Sequence, residues 1–242
     1  MTYCVGMLLD EGMVFLADSR TNAGVDQINT FRKMNVFEKP GERVLVLMTS
    51  GNLAITQSVL SILNEAIEAG DEQSSLMNVA NLFEAARIVG GALREVHRRD
   101  AEALKHFGIE FGAALVLGGQ IGDEKPRLFS IYAAGNFIEA TPETPYFQIG
   151  ESKYGKPIID RVLRASTPLA EAAKCALISM DSTIRSNLSV GPPLDLVIVR
   201  NNERCIGSQQ TLDYESEYLH MIHVKWGEAL RQAFRDLPNP LV

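Results

Sequence analysis

The chain has 242 residues, 46% hydrophobic and 22% charged, with a formal net charge of −7. That length allows one large domain or two small ones with ample core, and the composition is that of a soluble globular protein. The acidic balance argues against a nucleic-acid partner, since the longest basic run is Arg98-Arg99, among Glu95 and Asp100. The N-terminus lacks the basic-then-apolar layout of a signal peptide, and no apolar run approaches the ~18 residues of a membrane span. A cytoplasmic protein without membrane contact is expected.

Residues 3–9 (YCVGMLL) and 13–17 (MVFLA) flank the turn Asp10-Glu11-Gly12, so 3–17 reads as a hairpin. Residues 33–37 and 43–49 flank EKPGE, a second hairpin with a Pro-Gly turn. Asn52 is placed to cap a helix over 53–69, where Val59, Ile62, Leu63, Ala66 and Ile67 recur at helical spacing. A longer helix is predicted over roughly 78–106. Strands follow at 111–119, 127–135 and 145–149, then helices at about 152–164 and 167–184. Thr167 and Pro168 suit the N-cap and first position of the latter helix. LDLVIV (194–199) reads as a buried strand and 218–236 as a closing helix. Runs of strands followed by runs of helices predict an α+β fold with antiparallel sheets, in four layers and one domain spanning 1–242. Cys4, Cys175 and Cys205 are too few and too widely spaced for a disulfide frame or zinc site and read as reduced thiols. His220 and His223 share a helix face without a Cys or carboxylate motif beside them, so no metal or other cofactor is expected.

Hairpin geometry locates a cluster. Turning about residues 10–12, paired positions in the first hairpin sum to about 21–22, which puts Thr2 across from Ser19 or Arg20, near Asp18. In the second, Lys33 falls opposite Met48 or Thr49, beside Ser50 and Gly51. If the two hairpins neighbour each other, Thr2, Asp18, Lys33 and Gly51 gather at one end of one sheet. A Thr hydroxyl needs a base to become a nucleophile. Methionine aminopeptidases remove Met1 before a small residue, and the exposed α-amine, which ordinarily titrates at about 7.7–8.0, is a base attached to its own nucleophile. A neighbouring Lys lowers that amine's pKa, a carboxylate holds the Lys, and a glycine N–H suits an oxyanion hole. Each residue alone has an ordinary structural role: a small second residue, a turn Asp, a solvent-facing Lys.

The stretches MTYCVGMLLDEGMVFLADSRTNAGVD, FRKM, MTSGNLA and SMDSTIRSNLSVGPPLDLVIV resemble proteasome β-type subunits, and most closely the bacterial Anbu (ancestral β-subunit) group. The likeness covers nearly the whole chain. It implies the four-layer αββα sandwich of the N-terminal-nucleophile (Ntn) hydrolases, maturation by Met removal alone, and a threonine peptidase. Position by position, the nucleophile falls on Thr2, the carboxylate on Asp18, the lysine on Lys33 and the oxyanion glycine on Gly51. Arg20 matches a basic residue near the site, with a strand-end ion pair as its other reading. Thr21, Thr49 and Leu53 match pocket positions, although core packing suits Leu53 better. Two supporting motifs depart. The family's Gly-Ser-Gly is Gly150-Glu151-Ser152 here, and its Arg-Asp-x-x-Ser-Gly becomes Arg185-Ser186 through Ser189 to Gly191. Ser189 keeps the serine, Ser186 replaces the Asp, and Asp181 substitutes only if the helix end is rearranged.

The resemblance also implies self-assembly into a ring or curved stack around a peptide or protein substrate. No P-loop is present, so unfolding of a substrate would need a separate ATPase. An amidase acting on a small amide, and a catalytically weak assembly subunit, remain alternatives on sequence alone.

Overall fold

The computed structural model describes residues 1–22 and 28–240. Residues 23–26, the tail of the opening motif, lie outside the described residues.

Two five-stranded antiparallel sheets stack face to face. The first has β1 (Tyr3–Leu9) between β10 (Tyr146–Gly150) and β2 (Gly12–Asp18), then β11 (Leu194–Arg200) and β12 (Ser208–Leu212). The second runs β5 (Met34–Lys39), β6 (Arg43–Gly51), β7 (Ala113–Ile121), β8 (Arg127–Ile131) and β9 (Phe137–Glu139). A short ribbon of β3 (Arg20–Asn22) and β4 (Ile28–Thr30) connects β2 to β5. Helices α1 (Leu53–Glu68) and α2 (Leu82–His106) cover the second sheet. Helices α3 (Lys156–Val162), α4 (Leu169–Ser186) and the first turns of α5 (Glu217–Asp236) cover the first.

The apolar strands follow from this layering, because both faces of β1, β2 and β6 meet other layers. On β2, Met13, Phe15 and Ala17 enter the inter-sheet core with Met48, Val116 and Leu128, while Val14 and Leu16 face Leu177 and Met180 on α4. Each large apolar side chain among them contributes ~1.5–3 kcal/mol of burial.

Within each hairpin the register is the expected one: Cys4 pairs with Ala17 and Met34 with Met48. The hairpins do not, however, share a sheet. β10 and β11 take both edges of the first hairpin, and β7 takes the free edge of β6 in the second. The Thr2–Asp18–Lys33 cluster therefore forms across the sandwich, at the end opposite the turns. Other differences are local. α4 begins after Pro168 without a side-chain cap, because Thr167 Oγ1 instead accepts from the Arg164 N–H at 2.9 Å. α2 starts late, at the Asn81 cap. β8 stops at Ile131, where Tyr132–Gly135 turns. β12 (SQQTL) is a polar edge strand without the apolar signal of its neighbours.

Candidate active site

Thr2 precedes β1 and is 7% exposed. Its carbonyl accepts from the Glu151 N–H at 2.7 Å, just past the end of β10. At Gly150, φ is +84° and a Cβ would lie 2.0 Å from the Thr2 carbonyl oxygen, so only glycine lets β10 approach the Thr2 backbone this closely. The next N–H, of Tyr3, donates to Asp18 Oδ1 at 2.8 Å. Lys33 Nζ donates to the same oxygen at 2.7 Å, to the Arg20 carbonyl at 2.6 Å and to the Met1 carbonyl at 3.5 Å. Since the Met1 carbonyl carbon is bonded to the Thr2 nitrogen, the ammonium stands beside the peptide unit that carries that nitrogen. The ion pair is enclosed, with Asp18 0% and Lys33 4% exposed.

Burial pushes the Asp18 carboxyl up from its ordinary value, while Lys33 and the Tyr3 and Gly191 N–H groups pull it back. Burial also holds the chain's amine, on Met1, below its ordinary value. Lys33 adds to that depression and Asp18 opposes it.

A cavity of about 510 Å³ opens on Thr2. Thr21, Leu53 and Gly51 line it, together with Ser50 on β6 and with Asn29 and Phe31, which sequence reasoning missed because the short ribbon that carries Asn29 and leads into Phe31 lacks strand signal. Thr49 is not in the lining; it is buried beneath the site, where its carbonyl accepts from Cys4 Sγ at 3.8 Å. Leu53 opens α1 half-buried, outside the core cluster. Gly51 ends β6 at φ +113°, and a Cβ there would lie 2.3 Å from the Gly112 carbonyl oxygen. A cavity of about 600 Å³ at the other end of the sandwich, near Asp10, Glu124 and Asn201, is larger. The buried ion pair, which reaches the Met1–Thr2 peptide unit, marks the Thr2 cavity as the candidate.

The supporting residues divide. Glu151 is 5% exposed. Its carboxylate accepts from the Lys153 N–H and from Asn187 Nδ2, both at 3.1 Å. Asn187 Oδ1 accepts in turn from the Ser189 N–H at 3.0 Å. The loop after α4 then returns to the site, where the Gly191 N–H donates to Asp18 Oδ2 at 3.4 Å and the Pro193 carbonyl accepts from Ser19 Oγ at 2.6 Å. Arg20 makes no ion pair among the described residues; it donates to the Leu188 carbonyl at 2.7 Å and lies over the Tyr214 ring. Ser152 starts the turn into α3, its carbonyl accepting from the Lys156 N–H at 3.0 Å. Asp181 and Ser186 are not brought to Thr2. Asp181 pairs with His223 on α5 at 2.9 Å, and Ser186 sits exposed at the end of α4. Asn187, the link between Glu151 and the loop, went unnoticed in the sequence, although it stands inside the motif read there.

No protein-family model matches the chain, and no curated protein does. Solved structures do. The chain is 53% identical to Anbu (ancestral beta-subunit) from Yersinia bercovieri, with 99% of each chain covered and a TM-score of 0.92. It is 48% identical to an Anbu (Gly-1) mutant from Hyphomicrobium sp. strain MC1, over 100% of both chains at a TM-score of 0.94. Against the helical assembly of the Anbu complex from Pseudomonas aeruginosa, identity is 46% over 99% of this chain and 98% of that one, at a TM-score of 0.93.

Proposed function

The chain belongs to the Anbu (ancestral β-subunit) family of proteasome β-subunit homologues, and from that premise we propose that it is a threonine peptidase whose nucleophile is Thr2. The observation that carries this reading is the buried Asp18–Lys33 pair, whose ammonium reaches the peptide unit joining Met1 to Thr2.

Removal of Met1 turns the Thr2 nitrogen into a primary amine. Thr2 Oγ1 attacks the peptide carbonyl carbon while the α-amine takes the hydroxyl proton. Lys33 keeps that amine unprotonated near neutral pH and stabilises the oxygen as it loses its proton, with Asp18 holding Lys33 charged. The Gly51 N–H donates to the oxyanion of the tetrahedral intermediate. Its collapse passes the proton to the leaving amine and leaves an ester on Thr2. A water, deprotonated by the same α-amine, hydrolyses the ester and restores the hydroxyl. Thr21 and Leu53 flank the side chain that precedes the cut bond.

Glu151 and Asn187 replace the family's serine and aspartate as the support for the Thr2 backbone, and Arg20 fixes the loop that carries Gly191. The whole chain, 1–242, acts as one Ntn-hydrolase domain in a self-assembled cytoplasmic complex, a reading supported by the helical assembly of the Pseudomonas relative. Folded substrates would require a separate ATPase. Digestion of an unstructured peptide library, read by mass spectrometry, tests the activity. Cleavage products that disappear in Thr2→Ala are expected. Equal products from Thr2→Ala, or none from the processed wild type, would overturn the peptidase reading.

A further inference from the structure

Met1 stands two residues ahead of a strand held on both edges. β1 lies inside its sheet, with Tyr3 paired to Gly150 on β10 and Cys4 to Ala17 on β2. This terminus therefore lacks the freedom to fray that chain ends usually have. Tyr3 is fully buried, and its hydroxyl shares a hydrogen bond with Ser179 Oγ on α4. A Cβ on Gly155 would lie 2.9 Å from the Tyr3 ring, so the start of α3 closes over it. Thr2 is tied by its carbonyl to the Glu151 N–H, and the Tyr3 N–H is tied to Asp18. Met1 is 61% exposed, yet its carbonyl accepts from Lys33 Nζ, and the residue lines the Thr2 cavity.

We infer that Met1 is removed only before the chain folds, by a methionine aminopeptidase acting on the nascent chain, and that a copy folded with Met1 in place stays blocked. In the removal step water adds to the Met1 carbonyl carbon, the bond to the Thr2 nitrogen breaks and that nitrogen takes up a proton. The products are free methionine and a chain that begins with the Thr2 α-amine. Restriction to a small second residue shows that residue 2 enters the aminopeptidase's site along with the Met. In the folded chain two residues reach at most ~7 Å beyond Tyr3. Delivering the bond requires Thr2 to leave β10 and Tyr3 to leave Asp18, which strips hydrogen bonds from the buried Asp18–Lys33 pair. Cleavage then runs only through the rare open population. Until it happens, the Thr2 nitrogen is an amide whose lone pair is shared with the carbonyl, so it cannot accept the hydroxyl proton.

Chain order leaves time for removal. Asp18 and Lys33 emerge early, but Gly150 and Glu151 close over Thr2 only after some 150 residues have been made, roughly 8–30 s at ~5–20 residues per second. The active fraction is thus fixed during synthesis. The consequence for activity rests on the proposed role of Thr2 and names how that site is switched on.

The test uses cell-free synthesis in an extract lacking methionine aminopeptidase, with the purified enzyme added either at the start or after the full chain has been released and has folded. Intact mass reports Met1, and a peptide of residues 1–8 in the same tube reports that the enzyme is active. The expected result is loss of Met1 on early addition and, on late addition, removal slower than from the peptide by at least about 10³-fold. Late removal at the peptide's rate, loss of Met1 without the enzyme, or Met1 retained despite early addition overturns the inference. Both products are then treated with a peptide epoxyketone. Chains freed of Met1 that form no adduct overturn the peptidase reading and leave the order of processing standing. Late-processed chains that do form one overturn the order and leave the nucleophile standing.

Discussion

Lys33 carries more of the site than any other side chain, because one ammonium donates to Asp18, to the Arg20 carbonyl and to the Met1 carbonyl. Removing it leaves Asp18 as an uncompensated buried charge. Lys33→Ala is therefore expected to cost about 3–5 kcal/mol in denaturant unfolding, with part of the loss recovered in the Asp18→Ala/Lys33→Ala double variant. The same change should slow modification of Thr2 by about 10²–10³-fold, measured on folded protein. The amine sets the pH dependence. Burial and Lys33 lower it on Met1, and the proposed mechanism requires the same depression once the amine belongs to Thr2. Only the unprotonated amine accepts the hydroxyl proton, so reactivity should be low in acid and rise with pH. Because the folded value is depressed, the midpoint should fall below the ordinary range of about 7.7–8.0. A midpoint at or above that range would mean that Lys33 does not act on the amine.

At the scale of elements, the site depends on three chain segments meeting. Within each hairpin, pairing is a local consequence of the turn, so its register was legible from residues 10–12 and 40–41 alone. The assignment of the hairpins to opposite sheets was not, because it is decided by β7, β10 and β11, which lie more than sixty residues further on. The Glu151–Asn187 link was hidden for the same reason: a loop after β10 and the end of α4 are joined only by the fold. Glu151→Gln puts an amide donor against either the Lys153 N–H or Asn187 Nδ2. It should cost about 1–3 kcal/mol and slow Thr2 modification, whereas Ser186→Ala, exposed at the end of α4, should leave both unchanged. Gly51→Ala meets the Gly112 carbonyl from a left-handed backbone and should lower stability by about 1–3 kcal/mol. A thermal melt of that variant matching wild type would show that the strand end tolerates a side chain.

For the whole molecule, the fold class was readable because strand runs and helix runs alternate as the four layers require. β12 escaped because an exposed edge strand has no apolar face to reveal it. The late part of α5 was read as a closing helix, and its period is sound, but its stripe outruns the body it should cover. A single chain thus brings a threonine, a buried lysine and a buried aspartate together at one end of the sandwich. The central claim is that Thr2, once freed of Met1, is a nucleophile. Intact mass of the purified protein before and after a peptide epoxyketone tests it directly, since that warhead closes its ring only on a hydroxyl and a free amine side by side. Loss of Met1 and one adduct per chain, absent in Thr2→Ala, are the predicted result. Processed protein in its assembled state without an adduct would contradict it.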